Sequence, residues 1–336
     1  MQHIRTLAVV ILAWLVVQTL PTYSFQALAG EAQKADRLRI AYASVTGNRI
    51  SLWAAQEMGF FARQGFHAEL IFIASSSQGV PALIAGEFPM FSGSPETAAQ
   101  AAARGIDLVI IASNEPTQYK LIVQPMIKRA EELKGKKIGI DRIGGSSYYA
   151  TRRMLEKVGL KPQDVEFMQV AGGGAQRVAA FHSGILAAVV TTVERFERAK
   201  VPYHVLADAI SMGVRIIGSS VITTRTFRDR NRDVLLRFIR ALTEASHWTK
   251  NPKNRDGVLR VFSRNLRTDD PSVLDLNYLL YVDPLSLFPY TNVEDLRSNL
   301  SDLAESNPKL RELNLSDLVD NSFVQRVEAE GVTPLR

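Results

Sequence analysis

The stretch AELIFIASSSQGVPALIAGEF (residues 68–88) passes from a strand through a polar loop into a helix. The apolar run AELIFI is typical of a strand, and the run before Gly86 is typical of a helix that ends at that glycine. Three consecutive serines and a glutamine lie between them. One serine is enough to cap a helix start. The other two hydroxyls either belong to the local turn or contact a ligand, and the surplus of donors favours a ligand.

The same order of strand, polar loop and helix recurs along the chain. Most of the helices between predicted strands end at a glycine, and corresponding glycines of a first and a second pass lie about 100 residues apart. This alternation predicts an α/β fold with mostly parallel strands. Two similar lobes in tandem would explain the spacing, although any α/β chain can produce it by chance. The strands are predicted at residues 39–42, 68–73, 89–91, 107–112, 137–140, 165–170 and 186–190.

From Val221 onward the sequence becomes helical. The segment DVLLRFIRALTEASHW (residues 233–248) has apolar residues at helical spacing. The residues on this apolar face are Leu235, Phe238, Ile239, Leu242 and Ala245. Since no further strand-rich domain follows, we expect this tail to pack on one of the two lobes.

The amino terminus has the layout of a secretory signal peptide. Arg5 precedes an apolar run of 14 residues, Leu7–Leu20, and the segment ends with an Ala-Leu-Ala site before Gly30. A membrane-spanning helix needs about 20 apolar residues, so a cleaved signal over residues 1–29 is favoured over an uncleaved anchor. The sequence has no cysteine, so neither a lipid anchor nor a disulfide framework is expected. The mature protein is expected to be soluble and periplasmic or otherwise extracytoplasmic.

The charge pattern favours a small-molecule partner over nucleic acid. The formal net charge is +6, but basic residues alternate with acids, as in RTFRDRNRDVLLRFIR (residues 225–240). This alternation is typical of a solvated helix face and not of a nucleic-acid-binding stripe. Roughly 300 residues remain after the signal peptide, which at about 150 residues per domain predicts two domains.

The sequence lacks the common catalytic motifs. It contains no G-x-S-x-G, no G-x-x-x-x-G-K-[ST], no G-x-G-x-x-G and no H-E-x-x-H. The histidines that follow the signal peptide are scattered over different predicted elements, without a pair at metal-ligand spacing. We therefore expect a binding protein with no catalytic residue, no metal and no cofactor.

The predicted strand-to-helix junctions are polar. They read ASVTGN, ASSSQ, SGSPE, DRIGGSS, AGGG and TTVE. In a parallel α/β sheet such junctions lie at the carboxyl ends of the strands, where ligands bind in a crevice. Each supplies helix-start N–H groups that lack intrahelical partners and carry the positive end of the helix dipole. Together with hydroxyls, and with Arg142 as the cation in these loops, they predict an anionic ligand.

Four further segments occur in order along the chain: EMGFFARQGFHAEL, ALIAGEF before a Ser-Gly-Ser-Pro turn, LKGKKIGI, and RTFRDRNRDVLLRFIRALTEA. Together they resemble substrate-binding proteins of the nitrate/sulfonate/taurine ABC-transporter family, which includes thiamine-pyrimidine-precursor binders. The resemblance implies a two-lobed, class II periplasmic binding protein fold with mostly parallel sheets and a helical C-terminal tail. Lobe I would comprise residues 37–124 and be completed by 221–336, and lobe II would comprise 125–220. Crossings are expected near Val123–Pro125 and Ser219–Val221.

The resemblance also implies which residues face the ligand. The family's ligand loops correspond here to Thr46, Gly47, Asn48, Ser75, Ser76, Ser77, Gln78, Ser94, Asn114, Arg142, Gly145, Ser146, Ser147, Thr192 and Glu194. One departure concerns the last loop, where many relatives have an aromatic-acid-proline sequence and this chain has TVERFE. The ligand chemistry on that side is therefore left open.

The function implied is that of the monomeric solute-binding component of an ABC importer, which delivers a small anion to a permease in the inner membrane. A sensor subunit that contacts a receptor would have the same sequence features. A pyrimidine-precursor synthase is a third alternative within the resemblance. That enzyme depends on a cysteine-rich motif, whereas this sequence has no cysteine and begins with an export signal.

Overall fold

The computed structural model describes residues 36–143, 145–170, 173–301 and 303–332. The predicted signal peptide lies outside these residues. Within them, every helix falls short of the length and apolarity that crossing a membrane would require. Ten strands occur in the described ranges: β1 (Asp36–Ala43), β2 (Phe66–Ile73), β3 (Met90–Gly93), β4 (Leu108–Ser113), β5 (Lys120–Val123), β6 (Lys137–Ile140), β7 (Glu166–Gln169), β8 (Ala188–Thr191), β9 (His204–Asp208) and β10 (Ser220–Thr224).

The strands form two five-stranded sheets with the same topology. The first has the order β2-β1-β3-β10-β4 and the second β7-β6-β8-β5-β9. In the first sheet β10 alone is antiparallel to its neighbours, and in the second sheet β5 alone is. Four strands of each sheet therefore run in one direction, which confirms the prediction of mostly parallel sheets. We call the parts of the chain built on the two sheets lobe I and lobe II.

Each reversed strand enters its sheet after the chain has crossed between lobes. The crossing segments, residues 114–119 and 209–219, pair with each other: the Asn114 N–H donates to Ser219 O at 2.9 Å and the Thr117 N–H to Ile216 O at 2.9 Å. The first crossing lies earlier than the predicted Val123–Pro125, because β5 already belongs to the second sheet. The proline at 125 follows the end of β5 and does not mark the crossing.

Helices cover the sheets and build the tail. They are α1 (Ile50–Glu57), α2 (Phe60–Arg63), α3 (Ser76–Ile84), α4 (Pro95–Ala102), α5 (Ser146–Lys157), α6 (Gly174–His182), α7 (Glu194–Ala199), α8 (Arg225–Arg230), α9 (Arg232–Lys250), α10 (Arg255–Leu266), α11 (Pro271–Tyr281), α12 (Val293–Ser301), α13 (Leu303–Ser306), α14 (Leu315–Leu318) and α15 (Ser322–Glu330). Gly86 follows α3 with φ +79°, the left-handed conformation that glycine adopts without a Cβ clash. The predicted end of this helix is confirmed.

The helical tail completes lobe I. The predicted apolar face of α9 is buried, and Phe238 stacks on Phe61 of α2 with 5.7 Å between ring centroids. The tail also covers the sheet edge at β4, since the Asp320 N–H donates to Ile110 O at 2.8 Å. An exposed strand edge invites pairing with other chains, so this cover protects it. One tail helix, α11, reaches across to α7 of lobe II through Tyr281.

Candidate ligand-binding site

A cleft of about 440 Å³ is lined by loops of both lobes. The loops follow β1, β2 and β3 in lobe I and β6, β7 and β8 in lobe II, so the cleft lies at the carboxyl ends of the parallel strands. Polar junctions of the two lobes therefore face one another. Twelve of the fifteen predicted ligand residues line the cleft: Thr46, Asn48, Ser75, Ser76, Ser77, Gln78, Ser94, Arg142, Gly145, Ser146, Ser147 and Thr192.

Two other predicted residues, Gly47 and Asn114, do not line the cleft but hold the first loop of lobe I in place. Gly47 packs against the ring of Tyr281, where a Cβ would lie 2.2 Å from Cδ2. Asn114 donates its Nδ2 hydrogen to the backbone oxygen of Asn48 at 2.5 Å. Both positions therefore fix the loop that carries Thr46 and Asn48.

Glu194, the third predicted residue outside the lining, is buried beneath the lobe II wall. Its Oε1 accepts hydrogen bonds from Thr192 Oγ1 at 2.5 Å and from Tyr281 Oη at 2.9 Å. Because Tyr281 belongs to the tail, this carboxylate joins the two lobes. The hydroxyl hydrogen of Thr192 is used in this network and does not point to the cleft.

The serine loop does not act as a simple helix cap. Ser75 precedes α3, but its side chain makes no capping hydrogen bond. The hydroxyls of Ser75 and Ser77 bond to each other at 2.8 Å, and Ser76 Oγ accepts from the Ser94 N–H at 2.9 Å. The hydroxyl hydrogen of Ser76 therefore remains available, as do the first N–H groups of α3, which have no intrahelical acceptor.

Three other predicted hydroxyls donate to acids of the protein. Ser94 and Ser146 donate to Glu96 Oε2 at 2.5 and 3.0 Å, and Ser147 donates to Asp141 Oδ1 at 2.5 Å. A hydroxyl has one hydrogen to give, so these side chains offer lone pairs to a ligand, not hydrogen-bond donors. The expectation that they donate to an anion is not met in this arrangement.

Glu96 is a buried acid at the contact between the lobes. It begins α4 in lobe I, and its partner Ser146 begins α5 in lobe II. Burial raises the pKa of Glu96, while the hydrogen bonds from Ser94 and Ser146 oppose that shift and nearby Asp141 adds to it. The same face of the cleft holds a second contact between lobes, in which Arg142 Nη2 donates to Thr97 Oγ1 at 2.6 Å.

Arg177 is a buried cation without a partner. It lines the cleft from the first turns of α6, its side chain is only 7% exposed, and it makes no hydrogen bond or ion pair with a described residue. Its Nε and Nη1 are both buried and unpaired. Burial lowers the pKa of Arg177, Arg195 lowers it further, and Asp141 opposes both effects. Arg195 belongs to α7, but its guanidinium group lies beside the start of α6, where a Cβ on Gly174 would be 2.3 Å from its Nη1.

Arg49 is the corresponding buried cation of lobe I. It is 2% exposed and donates to Ser92 Oγ at 2.7 Å, to the hydroxyls of Ser219 and Ser44, and to the Ala43 carbonyl. Its Nε has no partner, and no described carboxylate forms an ion pair with it. Burial lowers its pKa to about 10. The lobe I side of the cleft therefore carries a positive charge.

Sequence reasoning missed these three arginines. It searched the polar loops, whereas Arg49 lies in a helical turn after the first loop, and Arg177 and Arg195 lie inside helices. A search of the first helical turn after each polar loop would have found all three. Their lack of acid partners depends on packing and has no signal in the sequence.

The lining has the chemistry of an anion site. It contains four arginines, Arg49, Arg142, Arg177 and Arg195, and one acid, Asp141. Among the described lining residues there is no lysine, histidine or cysteine. Guanidinium groups remain charged at any physiological pH and donate in a planar fork that suits carboxylate, sulfonate and phosphate groups. The arrangement can hold an anion between two walls.

Comparisons with known proteins agree with this fold. The family model described as "NMT1/THI5 like" matches residues 46–255. The periplasmic aliphatic sulphonate binding protein SsuA from Escherichia coli is 20% identical, with a TM-score of 0.69 over 90% of this chain and 94% of that chain. The periplasmic nitrate-binding protein NrtA from Synechocystis PCC 6803 is 13% identical, with a TM-score of 0.71 over 87% of this chain and 88% of that chain.

A third similar structure contains a bound sulfonate buffer. The alkanesulfonate-binding protein SsuA from Xanthomonas axonopodis pv. citri bound to MOPS is 18% identical, with a TM-score of 0.68 over 84% of this chain and 98% of that chain. At these identities the likeness shows the fold. No curated protein sequence matches the chain.

Proposed function

Because the chain belongs to the NMT1/THI5-like family, we propose that it is the extracytoplasmic solute-binding component of an ABC importer and captures a small anion between its lobes. The observation that carries this proposal is Arg177. A buried guanidinium without an acceptor costs several kcal/mol. An anionic group in the cleft would remove that cost, and the positive charge of Arg49 on the opposite wall would add to the attraction.

Closure of the lobes would proceed at the paired crossings. Hinge motions need only a few residues that absorb the change in backbone angles. The contacts of Arg142 with Thr97 and of Ser146 with Glu96 join the walls on one side of the cleft. The contact of Tyr281 with Glu194 joins the lobes elsewhere. These bonds join the lobes in the structure described here and would be lost if the lobes opened. If ligand binding closes an open form, X-ray scattering should show that the protein becomes more compact.

Export and a permease partner complete the proposal. The basic lead, the apolar run and the Ala-Leu-Ala site before Gly30 support cleavage and release in soluble form. Solved relatives are named as periplasmic binding proteins for sulfonates and nitrate, which supports the same location and an importer as partner. The mass of the periplasmic species decides the export step, and a membrane-held species that retains Met1 would contradict it.

A ligand screen tests the binding function. Thermal unfolding is measured with nitrate, amino-sulfonates, alkanesulfonates and aromatic acids, and each organic acid is paired with its uncharged amide. An anion at 100 times its Kd should stabilise the protein by about 2.7 kcal/mol. The amide should stabilise it far less, because it cannot neutralise Arg177. Stabilisation by amides and acids alike, or by no anion at all, would contradict an anion-binding cleft.

A further inference from the structure

The two walls of the cleft carry separate positive charges. In lobe II, Arg177 is in α6 and the guanidinium group of Arg195, from α7, lies beside the start of α6; Asp141 is the acid that acts on Arg177. In lobe I, Arg49 lies against the loop after β1 and the ends of β3 and β10. Each wall therefore presents one positive charge in excess, even when Asp141 is counted against lobe II. Arg142, at the contact between lobes, adds another.

The two positive centres belong to different lobes, and both line the cleft. The ionisable groups that shift the pKa of Arg177 are Asp141 and Arg195 of lobe II and Tyr119 of the first crossing. The only such group for Arg49 is Tyr42 of lobe I. The hydrogen bonds of Arg49 go to lobe I and to the crossing before β10, whereas Arg177 is held by α6 of lobe II, so the two guanidinium groups reach the cleft from different walls.

The lobe I centre has its own donors. Ser76 lines the cleft with a free hydroxyl hydrogen, and the first N–H groups of α3, the helix that it begins, have no intrahelical acceptor. Arg49 supplies the charge, and its Nε is buried without a partner. The hydroxyls of Ser94 and Ser146, which also line the cleft, have given their hydrogens to Glu96 and offer lone pairs. Each wall of the cleft therefore carries hydrogen-bond donors, and Ser94 and Ser146 add acceptors.

We propose that the preferred ligand is an organic dianion whose two charged groups are held separately, one by lobe I at Arg49 and Ser76 and the other by lobe II at Arg177 and Arg195. This inference rests on the proposed function and names its ligand class. With four lining arginines and one lining acid, a monoanion leaves a surplus of two positive charges and a dianion leaves one. The cleft of about 440 Å³ lies in the usual range for organic ligands, roughly 300–1,000 Å³.

Calorimetric titration of the wild-type protein with matched ligands tests the inference. The probes are ethanesulfonate, ethane-1,2-disulfonate, propane-1,3-disulfonate and sulfoacetate, with butyrate and succinate as the carboxylate pair. At least one dianion should bind tenfold or more tightly than its monoanion. The preference should persist from 0.15 to 0.5 M salt, because groups held in a desolvated cleft are screened far less than exposed charges. Equal Kd values for monoanions and dianions would overturn the inference.

The Arg49→Met variant locates the second group. We expect the ratio of monoanion Kd to dianion Kd to fall towards one, because only the dianion reaches both walls. The Arg129→Met variant removes a side chain that is 75% exposed on the surface of lobe II, and it should keep the wild-type ratio. An unchanged ratio in Arg49→Met would overturn the assignment of Arg49. If Arg49→Met fails to fold, the wild-type ligand series decides alone.

The inference and the proposed function fail in different ways. If monoanions bind and dianions bind no better, the protein is an anion-binding protein and the dianion inference is wrong. If no anion of either charge binds to the wild-type protein, the proposed function is wrong and the inference falls with it.

Discussion

Replacing Arg177 by methionine tests whether this arginine binds the ligand or stabilises the fold. Methionine keeps much of the apolar stem and removes the charge. Three of the five guanidinium hydrogens, those on Nε and Nη1, have no acceptor among the residues that the structure describes. We therefore expect the free energy of unfolding without ligand to stay level or to rise, by roughly 1–4 kcal/mol, the range seen when buried ionic groups are replaced by apolar ones.

The same substitution should weaken binding. One charge-assisted hydrogen bond contributes about 1.5–3 kcal/mol, so the Kd of the anion found in the screen should rise about 10- to 150-fold. Urea unfolding gives the stability and calorimetry gives the Kd, both at one pH and salt concentration. The opposite changes in stability and affinity are the expected signature.

Arg237→Met is the matched control. Arg237 donates to Asp36 at 2.8 Å, to Asp233 at 2.7 Å and to the Gln64 carbonyl at 2.8 Å, and it lies over the Phe66 ring. Its replacement should lower the free energy of unfolding by about 1 kcal/mol, as is usual for partly exposed ion pairs, and leave the Kd unchanged. If Arg177→Met behaves like this control, Arg177 is structural and the reasoning is refuted.

Three further substitutions probe other parts of the cleft. Arg142→Ala removes the bond to Thr97 between lobes and should weaken binding about 10- to 150-fold if Arg142 also touches the ligand; calorimetry that shows no change would remove it from the site. Ser76→Ala should cost about 1 kcal/mol of binding free energy, because backbone donors remain, and a larger loss in the same titration would mean that the hydroxyl is the main donor. The pKa of Glu96 is raised in the folded protein. Its protonated carboxyl therefore stabilises the fold below the ordinary pKa of 4.5, and this stabilisation is lost as the pH rises through the pKa of the folded state. Urea unfolding from pH 4.5 to 8 should show a smaller decline for Glu96→Gln than for the wild type, and equal declines would contradict this account of Glu96.

Much of the fold could be predicted from local pattern. In both sheets, most parallel strands are apolar runs followed by a polar loop and a helix that ends at a glycine, as around Gly86. Local sequence is enough to predict such units. The three missed strands, β5, β9 and β10, are four or five residues long, and none of them begins a strand-loop-helix unit. They become strands because they pair with partners distant in sequence, so tertiary contact overrides weak local preference.

The site was predictable in part for a similar reason. Polar loops at strand ends must face a common edge, so residues such as Ser76 and Arg142 could be placed in the cleft from sequence alone. Which hydroxyl gives its hydrogen to which acid depends on side-chain positions, and Ser94 and Ser146 turn to Glu96. The charges of Arg49 and Arg177 matter because neither forms an ion pair with a carboxylate of the described residues. That fact follows only from three-dimensional packing.

The position of β10 sets the order in which the two lobes can complete their folding. The sheet of lobe II needs no residue beyond Asp208, whereas the sheet of lobe I lacks the strand between β3 and β4 until Ser220–Thr224 joins it. Pairings between residues so distant in sequence form slowly, because a long loop must close first. Until they form, β3 and β4 expose ladder edges that can pair with other chains. The lobe that lies second in the sequence is therefore the first that can finish, and aggregation during refolding should begin at the edges that β10 later occupies.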